Sequence, residues 1–385
     1  MNNKIEESHR GASRPERTHH LGHDGKMLSD RERMDLIPAI RVMHPKLIEA
    51  WKVIDRFEFA VPSQTEGTCL SILGGSRMGK TDLSHKVRKR ILKKVALSYP
   101  DGKLRSDRIE TRDGDIRPVI WLKMPTTNSK AHLPEALLAA LGDPFPSKGT
   151  IGAKEYRLRM LMADQKVKYI IFDESNHVVE TKTEAFSYHT AEFIKNELLN
   201  GSIDRNGDDI DCPLLFCHIM FFGIKAGESL FELNSQMDNR RFSQFNLSEY
   251  DISKPNEANE FGTLLNTIDH KLPFPSWSEL SDPEVSKRIH VATHGNIGKL
   301  MKLISHAGVQ AILEGSDRIT GAHFSMAFEE AGLGKDDKKR QWPNPWKLKS
   351  LTADELVPKE ESSVSSRNSR IKGTGPSTAP TYAKK

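Results

Sequence analysis

Residues 69–81 read CLSILGGSRMGKT. Cys69-Leu70-Ser71-Ile72-Leu73 is an apolar run of the length of one buried strand. It runs into Gly74-Gly75-Ser76-Arg77-Met78-Gly79-Lys80-Thr81, the G-x-x-x-x-G-K-T pattern of a phosphate-binding loop. Glycines at both ends let the backbone wrap and aim its N–H groups at phosphate oxygens. The helix expected over 82–95 adds the positive end of its dipole. Lys80 is placed to reach the β- and γ-phosphates of ATP, and the Thr81 hydroxyl to hold Mg²⁺. The nucleotide set is Gly74, Gly75, Ser76, Arg77, Met78, Gly79, Lys80, Thr81 and Asp82.

A second apolar run, VKYIIFDE at 167–174, ends in two acids. Asp173 can accept hydrogen bonds from a Mg²⁺-bound water, and Glu174 can polarise the attacking water as general base. The bland alternative is a buried strand ending in two solvated acids. Phosphotransferases of small metabolites do not need the second acid, so beside a phosphate-binding loop the pair points to hydrolysis.

The 385 residues are 37% hydrophobic and 28% charged, ordinary for a globular chain of one large or two modest domains. No apolar run is long enough to span a membrane, and the first twenty residues lack a signal peptide's apolar core. Cys69, Cys212 and Cys217 form no metal-ligand pattern and read as buried free thiols, which suits a reducing cytoplasm. The net charge of +5 permits nucleic-acid binding without requiring it.

Residues 1–34 are polar, rich in His and Arg, and read as a flexible basic arm. Apolar residues at helical spacing follow Pro45: Leu47, Ile48, Trp51 and Ile54. After the loop helix, whose lysines read as a solvated face, 99–117 is an exposed loop or hairpin. PVIWLKM at 118–124 is a short buried strand, and helices are expected over 132–141, 155–165 and 183–199. PLLFCHIMFF at 213–222 is another strand. QMDNRRF at 236–242 brings Arg240 and Arg241, which either decorate the surface or reach a γ-phosphate, their own or a neighbour's. From 251 the text is helical only. Leu300, Leu303, Ile304, Ala307, Ala311 and Ile312 form one core stripe. QWPNPW at 341–346 is a docking peptide or the last packing contact of these helices. The layout is an α/β P-loop core with a parallel sheet over 35–250, a helical lid over 251–333, and a disordered tail over 334–385.

The chain resembles the TniB/TnsC type of AAA+ ATPase from DNA transposons. The resemblance runs from about 35 to 332. It rests on ILGGSRMGKT, PVIWLKMP with ALLAALGDPF behind it, YIIFDESNHV, IMFFGIKAGESL, QMDNRRF and HGNIGKLMKLISHAG in that order. The loop and acid pair are shared by many ATPases; the strand ending in MP and NIGKL are more specific. The resemblance implies an ATPase that assembles head to tail, as ring or filament, on double-stranded DNA. It also implies recruitment and activation of a transposase, helped by a target-selection protein, and a cytoplasmic protein that joins the nucleoid when DNA-bound. By position it makes Arg241 the finger into the next subunit's site, with Arg240 as understudy, and Lys299 the lid residue that senses phosphate. Thr126, Thr127 and Lys130 become candidates for DNA phosphates, with Lys103 and Arg105 as weaker ones. Such contacts imply weak sequence preference and marked salt sensitivity. One departure is Ile224 after Gly223, where relatives often carry a small polar residue. Either Lys225 substitutes or hydrolysis is slow. Competing readings are a replication initiator or helicase loader, a DNA-independent scaffold ATPase, and a small-molecule kinase.

Overall fold

The computed structural model describes residues 17–64, 66–125, 129–174, 184–200, 216–224, 238–334 and 342–351. The apolar run at 69 becomes the strand β1 (Cys69–Gly74), buried along almost its whole length. It pairs in parallel with β7 (His218–Gly223) on one side and β8 (Arg241–Leu247) on the other. Beyond β7 lie β6 (Tyr169–Asp173) and β5 (Val119–Lys123), again parallel, so the order is β5-β6-β7-β1-β8. Near-continuous apolar strands are what a parallel sheet covered on both faces requires.

The period of two divides these strands between two cores. Ile170, Phe172, Ile219 and Phe221 pack under α4 (His132–Ala140), α5 (Ile151–Asp164) and the π-helical turn Ile194–Leu199 that continues α6 (Glu184–Phe193). Ile171, Met220, Phe222, Leu70 and Ile72 pack under α2 (Pro45–Ala60) and α3 (Lys80–Ala96). Helix α2 starts on Pro45, whose fixed φ and missing N–H suit a first helical position. The 99–117 stretch contains a three-stranded antiparallel ribbon of β2 (Lys103–Leu104), β3 (Ile109–Thr111) and β4 (Gly114–Ile116).

The lid contains α7 (Pro255–Lys271), α8 (Pro283–Thr293), α9 (Ile297–Leu313) and α10 (Gly321–Glu330). The six-residue stripe expected on α9 is buried in their common core. Two expected boundaries are corrected. The flexible arm does not extend through residue 34: α1 (Asp30–Ala39) carries Ile37 into the lid core, and Arg17 is buried. Arg17 donates from Nε to the Phe274 carbonyl at 2.8 Å and from Nη2 to the Leu272 carbonyl at 2.7 Å. It also pairs with Asp269 at 3.3 Å. The tail expected to be disordered over 334–385 likewise packs on the lid within its described residues 342–351. Trp346 stacks on Phe324, Arg288 donates to the Pro345 carbonyl, and Asn344 donates to the Ser325 carbonyl at 2.9 Å. The QWPNPW stretch is therefore the lid's last packing contact from Trp342 onward. Residues 1–16, 335–341 and 352–385 lie outside the described residues.

Candidate functional site

At the C-terminal end of β1 the chain turns through the loop into α3. Gly79 sits at φ 86°, a left-handed conformation that costs a glycine nothing sterically. A cleft of about 540 Å³ opens there, within the range of small-ligand sites. Ser76, Arg77, Met78, Gly79, Lys80, Thr81 and Asp82 form one wall, and Asp173, Glu174, Gly223 and Ile224 the other. Lys80 and Asp173 are far apart in the chain. They meet because β1, β7 and β6 lie side by side and end at the same edge of the sheet.

Lys80 Nζ donates to the carbonyls of Gly74 at 2.8 Å and Gly75 at 2.7 Å, which holds its ammonium against the loop. Burial pulls the Lys80 pKa below its ordinary value, and the carboxylates of Asp173 and Glu249 oppose that shift. Asp173 is 1% exposed. Its Oδ1 accepts the Glu174 N–H at 3.0 Å, while Oδ2 is buried with no hydrogen-bond partner among the described residues. A buried carboxylate oxygen without a donor is costly, and a hydrated cation opposite Thr81 would satisfy it. The donor set therefore fits Mg²⁺.

Glu174 follows at φ 54°, a left-handed backbone that costs a non-glycine residue about 1–3 kcal/mol. Its Oε1 lies 3.1 Å from Lys123 Nζ. Sequence reading missed Lys123. The signal is the sheet register, which sets Lys123 opposite Asp173 and so beside Glu174.

Arg240 and Arg241 stand at the other end of the sheet. Arg241 is opposite Cys69 and Leu247 opposite Gly74. The length of β1 therefore separates Arg241 from the loop, about 16 Å at roughly 3.3 Å per residue. Arg240 pairs with Glu66 at 2.8 Å, and Arg241 with Asp238 and Gln244.

The lid meets the loop from above. Lys299 lies in the first turn of α9, its N–H donating to the Asn296 side chain at 3.1 Å. It is not among the described residues that line the cleft. One residue earlier, Gly298 packs so closely that a Cβ there would overlap that of Arg77. Lys46, buried in α2, donates to Ser248 Oγ, the Glu249 carbonyl and Glu257 at 2.9, 2.7 and 2.7 Å, tying α2 to the segment that leads from β8 into α7.

Of the DNA candidates, Lys130 is exposed just before α4, and Thr126 and Thr127 lie outside the described residues, as does Lys225. Lys103 is exposed on β2. Arg105 is engaged by Glu110 at 2.8 Å. Cys69 and Cys217 are buried free thiols whose pKa burial raises to about 12. Cys212 lies outside the described residues. No helix among the described residues is long and apolar enough to cross a membrane.

Among solved structures, the chain is similar to the Aeropyrum pernix ORC2 protein in ADPNP–ADP complexes, at 12% identity and a TM-score of 0.52, over 78% of this chain and 72% of that one. It is also similar to the Aeropyrum pernix ORC1 protein in complex with DNA, at 15% identity and a TM-score of 0.51, over 80% and 72% of the two chains. At such identity these likenesses show the fold, an AAA+ core followed by a helical lid. A search of the curated proteins finds no match. The family model described as bacterial TniB protein matches residues 41–252, more than half of the chain, and the chain belongs to the TniB family.

Proposed function

We propose that the chain is an ATP-hydrolysing transposition regulator. It assembles on target double-stranded DNA in its ATP state, recruits and activates a transposase there, and disassembles after hydrolysis. The observation that carries the reading is the convergence of Lys80, Thr81, the open Asp173 oxygen and Glu174 on one cleft in a TniB-family chain.

The residues divide the work by position. Backbone N–H groups of 76–81 and Lys80 hold the phosphates. Thr81 would hold Mg²⁺, with Asp173 binding through its water, and the cation when bound offsets charge on the phosphate oxygens. Glu174 takes the proton as a water oxygen attacks the γ-phosphorus and the bond to the bridging oxygen breaks. To do so it must leave Lys123. A charge pair this exposed is worth about 0–1 kcal/mol, so the pairing delays Glu174 without disabling it. The distance between Arg241 and its own loop supports a role in a neighbour's site, which makes hydrolysis depend on assembly. Lys130 follows the same C-terminal edge of the sheet as the cleft, so DNA held there can act on the same strand ends.

The test mixes two variants. Lys80→Ala and Arg241→Ala should each abolish DNA-stimulated hydrolysis. Mixed in equal amounts they should regain part of it, because an intact Lys80 on one copy meets an intact Arg241 on the next. A mixture as inactive as its parts would contradict the shared site.

A further inference from the structure

Glu249 has no part in the hydrolysis described above, yet it stands between β8 and the lid, at the junction of three parts of the molecule. A Cβ placed on Gly75 would lie 2.8 Å from Glu249 Oε1, so the carboxylate rests on the phosphate-binding loop. The same Oε1 accepts from Asn296 Nδ2 at 3.3 Å, and Asn296 is the N-cap of α9. The backbone carbonyl of Glu249 is held by Lys46 at 2.7 Å, which fixes where the side chain starts.

We propose that Glu249 sets the affinity of the nucleotide site: its carboxylate and the nucleotide's phosphates compete for the loop, and nucleotide binding releases Asn296, and with it the lid, from Glu249. This rests on the nucleotide reading above and adds a residue to it.

The loop is shaped to receive anions, and Lys80 Nζ is bonded to the carbonyl of Gly75, the residue on which Glu249 rests. A fixed negative charge beside that cradle repels incoming phosphate, and repulsion grows with the number of phosphates. Glu249 is solvent-exposed, so it can swing away, and salt screens its effect. When it swings, the contact to Asn296 breaks, and α9 loses one of its ties to the loop. The carboxylate thus couples occupancy of the loop to the position of the lid.

The experiment measures binding of ADP, ATP and adenosine to the full chain at low salt by calorimetry, for wild type and three variants. Glu249→Gln removes the charge and keeps a group that can meet Asn296. It should bind ADP and ATP about tenfold more tightly, with the larger gain for ATP and no gain for adenosine. Glu249→Asp, whose carboxylate is one methylene farther from Gly75, should fall between. Asn296→Ala should tighten ADP and ATP by a smaller factor by freeing the carboxylate to leave. Unchanged or weaker ADP binding by a Glu249→Gln protein that melts like wild type would overturn the proposal. Equal gains for adenosine would also overturn it, since charge would then not be the cause. A wild-type chain that binds none of the three would instead remove the nucleotide reading beneath it.

Discussion

Ile224 lines the cleft where a polar side chain could orient the attacking water, and its hydrocarbon can do no such thing. Slow turnover suits a switch whose ATP state is the active one. Replacing Ile224 with Thr adds one hydrogen-bonding group of similar bulk. A neutral hydrogen bond is worth about 1 kcal/mol, so turnover should rise about fivefold on saturating DNA. Unchanged turnover would mean that this position does not limit hydrolysis. At this scale the sequence was most legible where the chemistry is local. The loop and the Asp173-Glu174 pair are each contiguous in the sequence, and both line the one cleft. Lys123, Glu249 and Asn296 were not legible, since each meets a partner distant in the chain. Lys123 meets Glu174 only because β5 lies beside β6.

The elements repeat that division. The buried parallel strands and the α9 stripe announce themselves by apolar runs and helical period. Helix α1 did not, because it offers few apolar residues and has Pro38 inside it. Its one clear sequence signal is the capping box, in which Ser29 and Glu32 satisfy each other's backbone N–H groups. Arg17 was illegible for another reason. A buried arginine needs carbonyl and carboxylate partners, and those it uses are more than 250 positions away. If α1 belongs to the lid, Ile37→Ala should cost about 2–5 kcal/mol, the range for truncating a fully buried aliphatic side chain. Chemical denaturation would read this, with Ile48→Ala on the exposed side of α2 as the control. Equal midpoints for the two variants would return residues 30–39 to a peripheral arm.

For the whole molecule, two histidines couple folding to pH. Burial holds His44 and His218 to about 4, against an ordinary 6.5. The unfolded chain takes up these protons as pH falls through 6.5, and the folded chain refuses them until about 4. Stability should therefore fall across that window, by up to about 3 kcal/mol per histidine. Glu257 acts lower: its bond to Lys46 holds it to about 2, and its contribution is lost as pH drops from 4.5 through that value. A melting temperature that stays flat between pH 6.5 and 4 would contradict the burial of both rings. At the same scale, nucleotide, neighbour and DNA are expected to meet in one assembly. The direct measurement is electron microscopy of the purified chain with and without duplex DNA, in ATP and in ADP, alongside Lys80→Ala. Rings or filaments that form on DNA with ATP, and fail with ADP or with Lys80→Ala, are the expected result. Assemblies indifferent to DNA, or a particle that stays monomeric under every condition, would contradict it.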